Sequence, residues 1–384
     1  MALFAIATGV IVTNLFAPQT LIGLIGATLR LSPAAGGFAA MTTLLGYAAG
    51  LFLLVPLADL RENRRLVVIM IAAAAASALA AALASNGGAL LAALFGLGAA
   101  SSAIQILVPL AAAMASADTR GRVIGDVMGG LMIGILLSRP IASAIADAYD
   151  WRAFYGLSAA AMAILAISLA ALLPERKPSQ STSYAALIAS LWSLLRAEPV
   201  LRRRALTASL SMAAFSLFWT AVALRLAQQP FVLSQKGIAI FALVGVGGAL
   251  ATPLAGRAGD RGWTRAATIL AHTAIFAAFA LAAWAGLSRA DAALRLVLMA
   301  VAAVLLDIGV TGDQTLGRRS VNLLQPEARG RLNGLFVGLF FLGGALGSAV
   351  VGAAWTQGGW TMICCVGGGF GLLALIVDIL SKRD

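Results

Sequence analysis

Twelve apolar runs, each about twenty residues long, follow one another along this chain of 384 residues. A run of that length crosses a hydrocarbon core of roughly 30 Å as a helix, whereas membrane-spanning strands are shorter and alternate between apolar and polar residues. Only 11% of the residues are charged, compared with about 25% in a typical soluble domain. The chain is therefore predicted to be an all-α integral membrane protein with twelve transmembrane helices.

We number these predicted spans 1 to 12 in chain order. Short polar segments separate them, and a longer interruption follows span 6. To within about two to four residues, they are expected to cover 2–26, 35–57, 66–85, 89–114, 123–146, 153–173, 205–227, 237–256, 266–286, 298–323, 332–354 and 361–380.

The chain also contains an internal repeat. The string Arg120–Gly125 returns in closely similar form at Arg329–Gly334, an offset of 209 residues. Because this register holds without a gap over roughly thirty residues, duplication of one ancestral half is the simplest account. We therefore predict two pseudo-symmetric six-helix bundles, at residues 1–173 and 200–384, joined by a linker at 174–199. The same offset joins Gln105 with Gln314, Gly129 with Gly338, Gly134 with Gly343 and Trp151 with Trp360.

The linker has two parts. Pro174–Ser181 breaks the apolar pattern, and a short segment beyond it places apolar residues at helical spacing. This segment is too short to cross a membrane, so we expect an interfacial helix. Arg196 and Arg202–Arg204 would then lie at anionic lipid, or serve equally well as a topology signal ahead of span 7. The apolar residues at helical spacing are Tyr184, Leu187, Ile188, Leu191 and Leu195.

Basic residues are distributed unevenly between the loops. Alternate loops, together with the linker and a C-terminal tail that includes Lys382 and Arg383, hold 20 of the 27 Lys and Arg residues. By the positive-inside rule, the linker and both termini are predicted to be cytoplasmic. The net charge of +12 then reflects topology, and nucleic acid is not an expected partner. The opposite loops hold only Arg30, Arg152, Arg225, Lys236, Arg289 and Arg295.

Two of the basic loops share an acidic residue. Asp59 follows span 2 and Asp260 follows span 8, at corresponding places in the two halves. Such a carboxylate can pair with an Arg or accept hydrogen bonds from the start of a neighbouring helix, and so hold one side of the protein shut in one state. A purely topological role is the alternative. The candidate gating residues are Asp59, Arg61, Arg64, Arg65, Arg257, Asp260 and Arg261.

The duplicated halves and the Asp-containing loops resemble the major facilitator superfamily, and in particular its bacterial drug and metabolite efflux branch, which includes proton antiporters. The resemblance implies a secondary transporter of the bacterial inner membrane that alternates access by rocking one half against the other. Segments similar to one poorly characterised group of that branch are Asn14–Gln19, Gln105–Pro109, Phe215–Thr220 and Phe341–Ser348.

The chain departs from the superfamily pattern at several positions. Val55 and Glu62 replace glycines of the first loop motif, and Ala92 stands where many proton-coupled relatives have Arg. In span 5, Arg139–Pro140 replaces the Gly-Pro pair of many antiporters. These departures weaken the inference of proton antiport.

Polar residues that lie deep in only one half are the best candidates for substrate binding or coupling. The offset of 209 carries a polar stripe of span 4 onto a polar stripe of span 10, and both are expected to face one central cavity. The stripes consist of Gly98, Ser102, Gln105 and Pro109 in span 4 and of Asp307, Thr311, Gln314 and Arg318 in span 10.

Two charges stand out because the repeat gives them no charged counterpart. Arg139 in span 5 corresponds to Ser348, and Asp307 in span 10 corresponds to Gly98. A lone charge in hydrocarbon costs about 2.5 kcal/mol or more, so each must meet water or a partner. We expect both to face the same cavity, either as a fixed ion pair or exchanging partners with substrate and proton. Asp313 is an alternative proton carrier.

Further side chains are expected around the cavity, namely Asn14, Gln19, Phe215 and Trp219. The single histidine, His272 in span 9, is interpreted as a packing residue. Met128 and Met132 are likewise interpreted as core residues and not as copper ligands, and the glycines of Gly245–Gly247 as positions of close helix packing. No cofactor or metal site is predicted.

The sequence therefore favours a monomeric, non-enzymatic transporter that exports a small organic compound or drug, coupled to protons. Its expected partners are that substrate, protons and membrane lipid. Uptake of a metabolite by the same mechanism is one alternative, and a non-transporting membrane receptor or assembly protein is another.

Overall fold

The computed structural model describes residues 2–31, 37–116, 118–178, 183–249, 251–287 and 290–381. These residues are predominantly helical and contain no β-strand. Arg289, Lys382 and Arg383, on which the topology argument depends in part, lie outside these ranges, as do residues 179–181 of the predicted linker. The predicted all-α membrane class is confirmed, since ten of the helices are long and apolar enough to cross a membrane individually.

Most observed spans agree with the predicted ones to within four residues, but spans 7 and 10 each begin six residues earlier than predicted. Span 1 is a pair of helices, Ala2–Phe16 and Pro18–Leu29, bent by 47°. The other spans of the N-terminal half are Phe38–Asp59, Asn63–Ala82, Gly87–Met114, Arg120–Ala148 and Trp151–Leu172. The linker helix is Tyr184–Ala197, and spans 7 to 10 are Pro199–Leu226, Gln235–Asp260, Thr264–Leu287 and Ala292–Asn322. Spans 11 and 12 lie within one continuous stretch, Arg329–Leu380.

A turn at Gly358 and Gly359 divides this last stretch. At 52 residues, a straight helix would be about 78 Å long, far more than a membrane of roughly 30 Å requires. Gly359 has a positive φ of 57°, and Gly358 also leaves the helical region. A residue with a Cβ rarely adopts such a φ, so glycine suits the turn. With span 1 counted as one bent segment, the described residues form twelve membrane crossings.

Polar residues begin many of the helices. The side chain of Asn86 accepts a hydrogen bond from the backbone N–H of Ala89 at the start of span 4, and Asp150 does the same for Ala153 at span 6. These bonds satisfy N–H groups that have no partner within the helix. Glu62, Ser183, Ser234 and Asp291 cap other helices in the same way.

The repeat is visible in the packing of the two halves. Gly134 of span 5 approaches span 1 so closely that a Cβ would overlap the carbonyl oxygen of Gly9. Gly343, its equivalent by the 209-residue offset, approaches span 7 in the same manner, against the carbonyl of Ser209. Small residues allow this close contact between membrane helices. The pair of spans 1 and 5 is thus repeated as the pair of spans 7 and 11.

The two halves touch one another along spans 2 and 11. Gly37 meets the backbone of Ser348 at one end of this contact, and Gly338 meets the ring of Phe52 toward the other. The second helix of span 1 also packs on span 7, and the helix Gln235–Ala242, which begins span 8, packs on span 5. We call the end that carries Arg120 and Arg329, the first residues of spans 5 and 11, the basic end.

Candidate functional site

A cavity of about 880 Å³ lies between the two halves. Spans 1 and 5 form one wall, and spans 7, 8, 10 and 11 form the other. The cavity extends from Arg139 and Asp307, which are 2% and 5% exposed, to Leu323, which is 65% exposed near the basic end. It therefore opens toward that end. Each residue of the predicted stripe of span 10 lines it, namely Asp307, Thr311, Gln314 and Arg318.

Arg139 is surrounded by polar and aromatic groups. Its Nε donates a hydrogen bond to Gln19 Oε1 at 2.9 Å. Its guanidinium carbon lies 4.3 Å from the ring centre of Trp219, 5.0 Å from that of Phe215 and 5.3 Å from that of Phe16. Such cation–π contacts stabilise a cation that has lost its water. Gln19, Phe215 and Trp219 were all predicted at the cavity, and the structure gathers them around this one side chain. Of the three, only Phe215 lines the large cavity, whereas Gln19 and Trp219 are buried beside Arg139.

Trp219 connects Arg139 to Asp307. Its indole Nε1 donates a hydrogen bond to Asp307 Oδ1 at 2.9 Å, while its ring faces the guanidinium. Trp219 is itself 1% exposed, so the rotamer that makes both contacts is fixed by packing. The role of the indole N–H could not be read from the sequence, because it depends on how spans 7 and 10 are rotated against each other.

The two charges are close without forming a contact ion pair. No nitrogen of Arg139 lies within 4.0 Å of a carboxylate oxygen of Asp307. Gly245 of span 8 lies beside both, since a Cβ built on it would be 3.1 Å from Asp307 Oδ2 and 3.9 Å from Arg139 Nη1. The fixed ion pair considered from the sequence is therefore not the arrangement found. Each charge retains the freedom to take another partner.

Two predicted residues occupy other places. Asn14 is fully buried within the N-terminal half, where its Oδ1 accepts a hydrogen bond from the hydroxyl of Ser158 in span 6 at 2.7 Å. Gln105 donates to the hydroxyl of Tyr47 at 3.1 Å and lines a second cavity of about 640 Å³. Both were predicted to line the central cavity, but neither lines the large cavity. Asn14 is absent from the cavity because its amide faces span 6, where the hydroxyl of Ser158 satisfies it.

The stripe of span 4 also differs from expectation. A Cβ on Gly98 would overlap the carbonyl oxygen of Thr43, and Ser102 lies against Gly50. This face of span 4 therefore packs on span 2 and does not open to the large cavity. The two stripes occupy equivalent places in the repeat, but only the stripe of span 10 is in contact with that cavity.

The predicted gating residues lie outside the large cavity. Asp260 accepts a hydrogen bond from Arg319 Nη2 at 3.2 Å, in an exposed pair. Arg261 lies over the ring of Trp263, with its guanidinium carbon 5.8 Å from the ring centre. Asp59 lines the second cavity, of about 640 Å³, together with Arg331 from the other half. Among the described residues, the guanidinium groups of Arg61, Arg64, Arg65 and Arg257 take part in no hydrogen bond or ion pair.

Glu62 has a structural role that the sequence did not indicate. Its carboxylate accepts hydrogen bonds from the backbone N–H groups of Arg64 and Arg65, both at 2.7 Å, and of Arg176 at 3.2 Å. Partial desolvation acts to raise the pKa of Glu62, but these backbone hydrogen bonds outweigh it and hold the pKa below its ordinary value. Glu62 thereby caps span 3 and fastens the start of the linker to it.

A second group of buried charges lies inside the C-terminal half. His272 Nε2 lies 3.2 Å from Asp313 Oδ1, and His272 Nδ1 lies 3.2 Å from Asp378 Oδ2. Asp313 also accepts a hydrogen bond from Ser211 at 2.8 Å, and Asp378 lies 3.4 Å from Arg204 Nη1. All five side chains are 3% exposed or less. The interpretation of His272 as a packing residue was therefore wrong.

The geometry of this cluster indicates how it is charged. A neutral imidazole has one nitrogen without a proton, and that lone pair would face a carboxylate oxygen. A doubly protonated ring avoids this repulsion, and the two cations then balance the two carboxylates. The cluster joins spans 7, 9, 10 and 12, and its residues do not line the large cavity. Asp313, the alternative proton carrier of the sequence prediction, is thus tied into the C-terminal half.

A bundle of two similarly packed halves, with a central cavity that opens at one end and contains buried opposite charges, defines a multi-pass membrane transporter. The chain belongs to the Major Facilitator Superfamily, whose family model matches residues 2–245 and 204–382. This assignment confirms the coarser part of the resemblance noted in the sequence, and it places the chain among transporters and not among enzymes.

Similar proteins are themselves described only as transporters. The chain is 35% identical to a putative uncharacterized transporter of Escherichia coli strain K12, YgaY, over 98% of this chain and 94% of that one. It is 34% identical to a probable transporter of Streptomyces coelicolor, SCO4007, over 96% of this chain and 84% of that one. These relatives agree on transport and do not specify a cargo.

Solved structures of the same fold carry different cargoes. The nucleoside transporter NupG superposes with a TM-score of 0.75 at 16% identity, covering 99% of each chain. The D-xylose-proton symporter superposes with a TM-score of 0.77 at 15% identity, covering 100% of this chain and 97% of that one. At this level of identity, the likeness concerns the fold alone.

Proposed function

We propose that this protein is a proton-coupled secondary transporter that moves a small organic compound across the bacterial inner membrane by alternating access. The basic end, the linker and both termini are on the cytoplasmic side in this proposal, because the positive-inside rule favours that orientation. The large cavity would then be open to the cytoplasm, and the packing of span 1 on span 7 and of span 5 on span 8 would close the other side. The functional unit is a monomer.

The observation that carries the proposal is the Arg139–Trp219–Asp307 arrangement. Arg139 belongs to the N-terminal half, whereas Trp219 and Asp307 belong to the C-terminal half. A proton on Asp307 would remove the charge that opposes Arg139 across the cavity. Protonation, substrate binding and the contact between the halves would thus act on the same few atoms, which is what coupling requires. A passive receptor or assembly protein gains little from two buried charges held this way.

Two directions of transport remain candidates. Export of a drug or other organic compound by proton antiport follows from the resemblance to the efflux branch. Metabolite uptake is the second candidate, and the charge of the cavity wall favours it. Arg139, Arg318, Arg319 and Arg329 line the cavity, whereas Asp307 is the only described carboxylate that does so. A binding anion would compete with Asp307 for Arg139, so a proton on Asp307 would assist binding instead of opposing it.

Flux measurements in proteoliposomes test the proposal. We expect a screen of metabolites and drugs to find compounds whose movement responds to an imposed pH gradient, and we expect Arg139→Gln and Asp307→Asn to lose that response. Asp150→Asn is the matched control for loss of a carboxylate charge, because Asn caps a helix about as well as Asp. Arg196→Gln is the control for loss of a guanidinium. Full pH-driven flux in both Arg139→Gln and Asp307→Asn would refute the coupling role.

A further inference from the structure

Arg139 retains a donor without a partner. Its Nε is bound to Gln19, and aromatic rings lie near its guanidinium. Its Nη2, however, is buried and has no hydrogen-bond partner. The amide Nε2 of Gln19 is also buried without a partner. Because a hydrogen bond already joins these two side chains, their two free donors belong to one small site.

Two adjacent free donors, one of them cationic, select an acceptor that carries negative charge. Buried donors in native proteins are nearly always satisfied, so a vacant pair of this kind indicates a group that the protein alone does not supply. A carboxylate has two oxygens and can accept a hydrogen bond from each donor at once. A neutral acceptor could satisfy the hydrogen bonds but would leave the charge of Arg139 uncompensated.

The charge of the cavity wall supports the same conclusion from independent residues. Arg318, Arg319 and Arg329 lie between Arg139 and the opening. Arg319 is partly neutralised by Asp260, but the described wall still carries more positive than negative charge. Clefts lined by one sign of charge concentrate ions of the opposite sign. An anion would thus be attracted along the route to Arg139, whereas an organic cation would be repelled along it.

The rest of the wall is apolar. Large hydrophobic side chains line the same cavity as Arg139, so a ligand bound at Arg139 by its anionic group would have an apolar body against some of them. These side chains are Phe16, Met128, Met132, Leu136, Phe215 and Phe340.

We propose that the substrate is an amphipathic organic acid, whose carboxylate binds Arg139 Nη2 and Gln19 Nε2 and whose apolar body lies against spans 1, 5 and 11. This inference rests on the proposed transport function and adds to it the substrate class. Among the described residues, the charged or hydrogen-bonding groups in contact with or close to Asp307 are Arg139 and the indole of Trp219. From the described part of span 8, Gly245 and Gly248 face Asp307.

The proposal fixes the sense of coupling. The substrate anion and the ionised Asp307 each stabilise the guanidinium of Arg139. They therefore compete for it. A proton on Asp307 removes the competitor, so proton and anion strengthen each other's binding, and the effect is reciprocal. The two then cross together, with no net charge added to the site. This is symport, and it favours the uptake candidate over antiport.

Matched triples of compounds test the substrate class. We would measure binding to the purified full-length protein by thermal shift and by tryptophan fluorescence, for phenylacetate, 4-phenylbutyrate and 1-naphthylacetate, each beside its amide and its amine. The carboxylate should bind best in at least one triple, and more tightly at pH 6 than at pH 8. Arg139→Gln should weaken it about tenfold or more. Arg196→Gln should match the wild type, and Asp307→Asn should bind the carboxylate with a flatter pH dependence.

Other outcomes separate this inference from the transport function. If amines or amides bind better than carboxylates in every triple, or if Arg139→Gln leaves carboxylate binding unchanged, the substrate class is wrong. If the compounds that bind best nevertheless show pH-driven flux that depends on Arg139, the proposed transport function stands without the proposed substrate class. Conversely, Arg139-dependent carboxylate binding without flux of any compound would preserve the site and refute transport. If Arg139→Gln does not fold, Gln19→Met removes one of the two donors and should weaken carboxylate binding alone.

Discussion

Trp219 donates its indole N–H to Asp307 at 2.9 Å, and this bond sets the position of the carboxylate that faces Arg139. The same ring lies 4.3 Å from the guanidinium carbon. One aromatic residue therefore contacts both charges, one by a hydrogen bond and the other by its ring. Movement of one half against the other must change at least one of these contacts, because Arg139 lies in the opposite half from Trp219 and Asp307.

Trp219→Phe separates these two contacts. The variant keeps an aromatic ring for Arg139 but removes the hydrogen bond to Asp307, which for a charged acceptor is worth about 1.5–3 kcal/mol. We expect the protein to fold, with the pH dependence of transport displaced while substrate binding at Arg139 is largely retained. Flux measured across a series of pH gradients would check this. Trp192→Phe, at a residue 55% exposed on the linker helix, is the control and should behave as the wild type.

The His272 cluster should contribute mainly to stability. Removing one partner from a buried charge network leaves the others uncompensated, at a cost of about 3–5 kcal/mol. We therefore expect His272→Gln to lower the melting temperature strongly. Asp313→Asn added to it should recover part of the loss, because it removes one of the two stranded carboxylates. Asp260→Asn breaks the exposed pair with Arg319 and should cost only about 0–1 kcal/mol. Equal effects of His272→Gln and Asp260→Asn would contradict this account.

Two glycines of span 11 should respond oppositely to alanine. In Gly343→Ala the new Cβ overlaps the backbone of Ser209, so spans 7 and 11 must separate, at a cost of about 1–3 kcal/mol. In Gly334→Ala the new Cβ meets nothing within 4 Å, and the gain in helix propensity is up to about 1 kcal/mol. Thermal denaturation in detergent should rank the melting temperatures with Gly334→Ala highest and Gly343→Ala lowest. A stable Gly343→Ala protein would be evidence against the close packing of spans 7 and 11.

Glu62 predicts a dependence of stability on pH. Its pKa is lower in the folded protein than its ordinary value, so the ionised form stabilises the fold at any pH above that ordinary value of about 4.3. This contribution is lost as the pH falls through the lowered pKa, where the carboxylate takes up a proton. Glu62→Gln should therefore melt lower than the wild type at neutral pH, and the difference should shrink below about pH 4.3. The partly exposed position of Glu62 limits the effect to the scale of a helix cap, about 0.5–2 kcal/mol. A difference that grows with acidity would have the wrong sign.

The sequence predicted the architecture because the membrane restricts it so strongly. Runs of about twenty apolar residues can form little other than spanning helices, and the 209-residue repeat indicated how they are paired. The repeat also identified Arg139 and Asp307, because neither has a charged counterpart in the other half. The repeat could not predict how each helix is rotated about its axis, and therefore which of its faces meets the cavity. Asn14 turns toward Ser158, and the span 4 stripe turns toward span 2, although both have the spacing of cavity residues.

The partners of His272 could not be predicted from the sequence either. A single histidine in an apolar helix is usually a packing residue, and nothing within span 9 suggests otherwise. Its partners, Asp313 and Asp378, come from spans 10 and 12, and only the packing of these helices brings them to the two ring nitrogens. Ion pairs between separate spans can be predicted from a sequence only if it is known which helix faces are in contact.

The most direct test of the account is a comparison of two transport modes in the Asp307→Asn variant. Proteoliposomes containing wild type, Asp307→Asn or Asp150→Asn would be assayed with one transported compound, first for accumulation driven by a pH gradient and then for exchange of labelled for unlabelled compound without a gradient. If Asp307 carries the proton that acts on Arg139, Asp307→Asn should lose gradient-driven accumulation and retain exchange, while Asp150→Asn retains both. Gradient-driven accumulation at the wild-type level in Asp307→Asn would contradict the central claim.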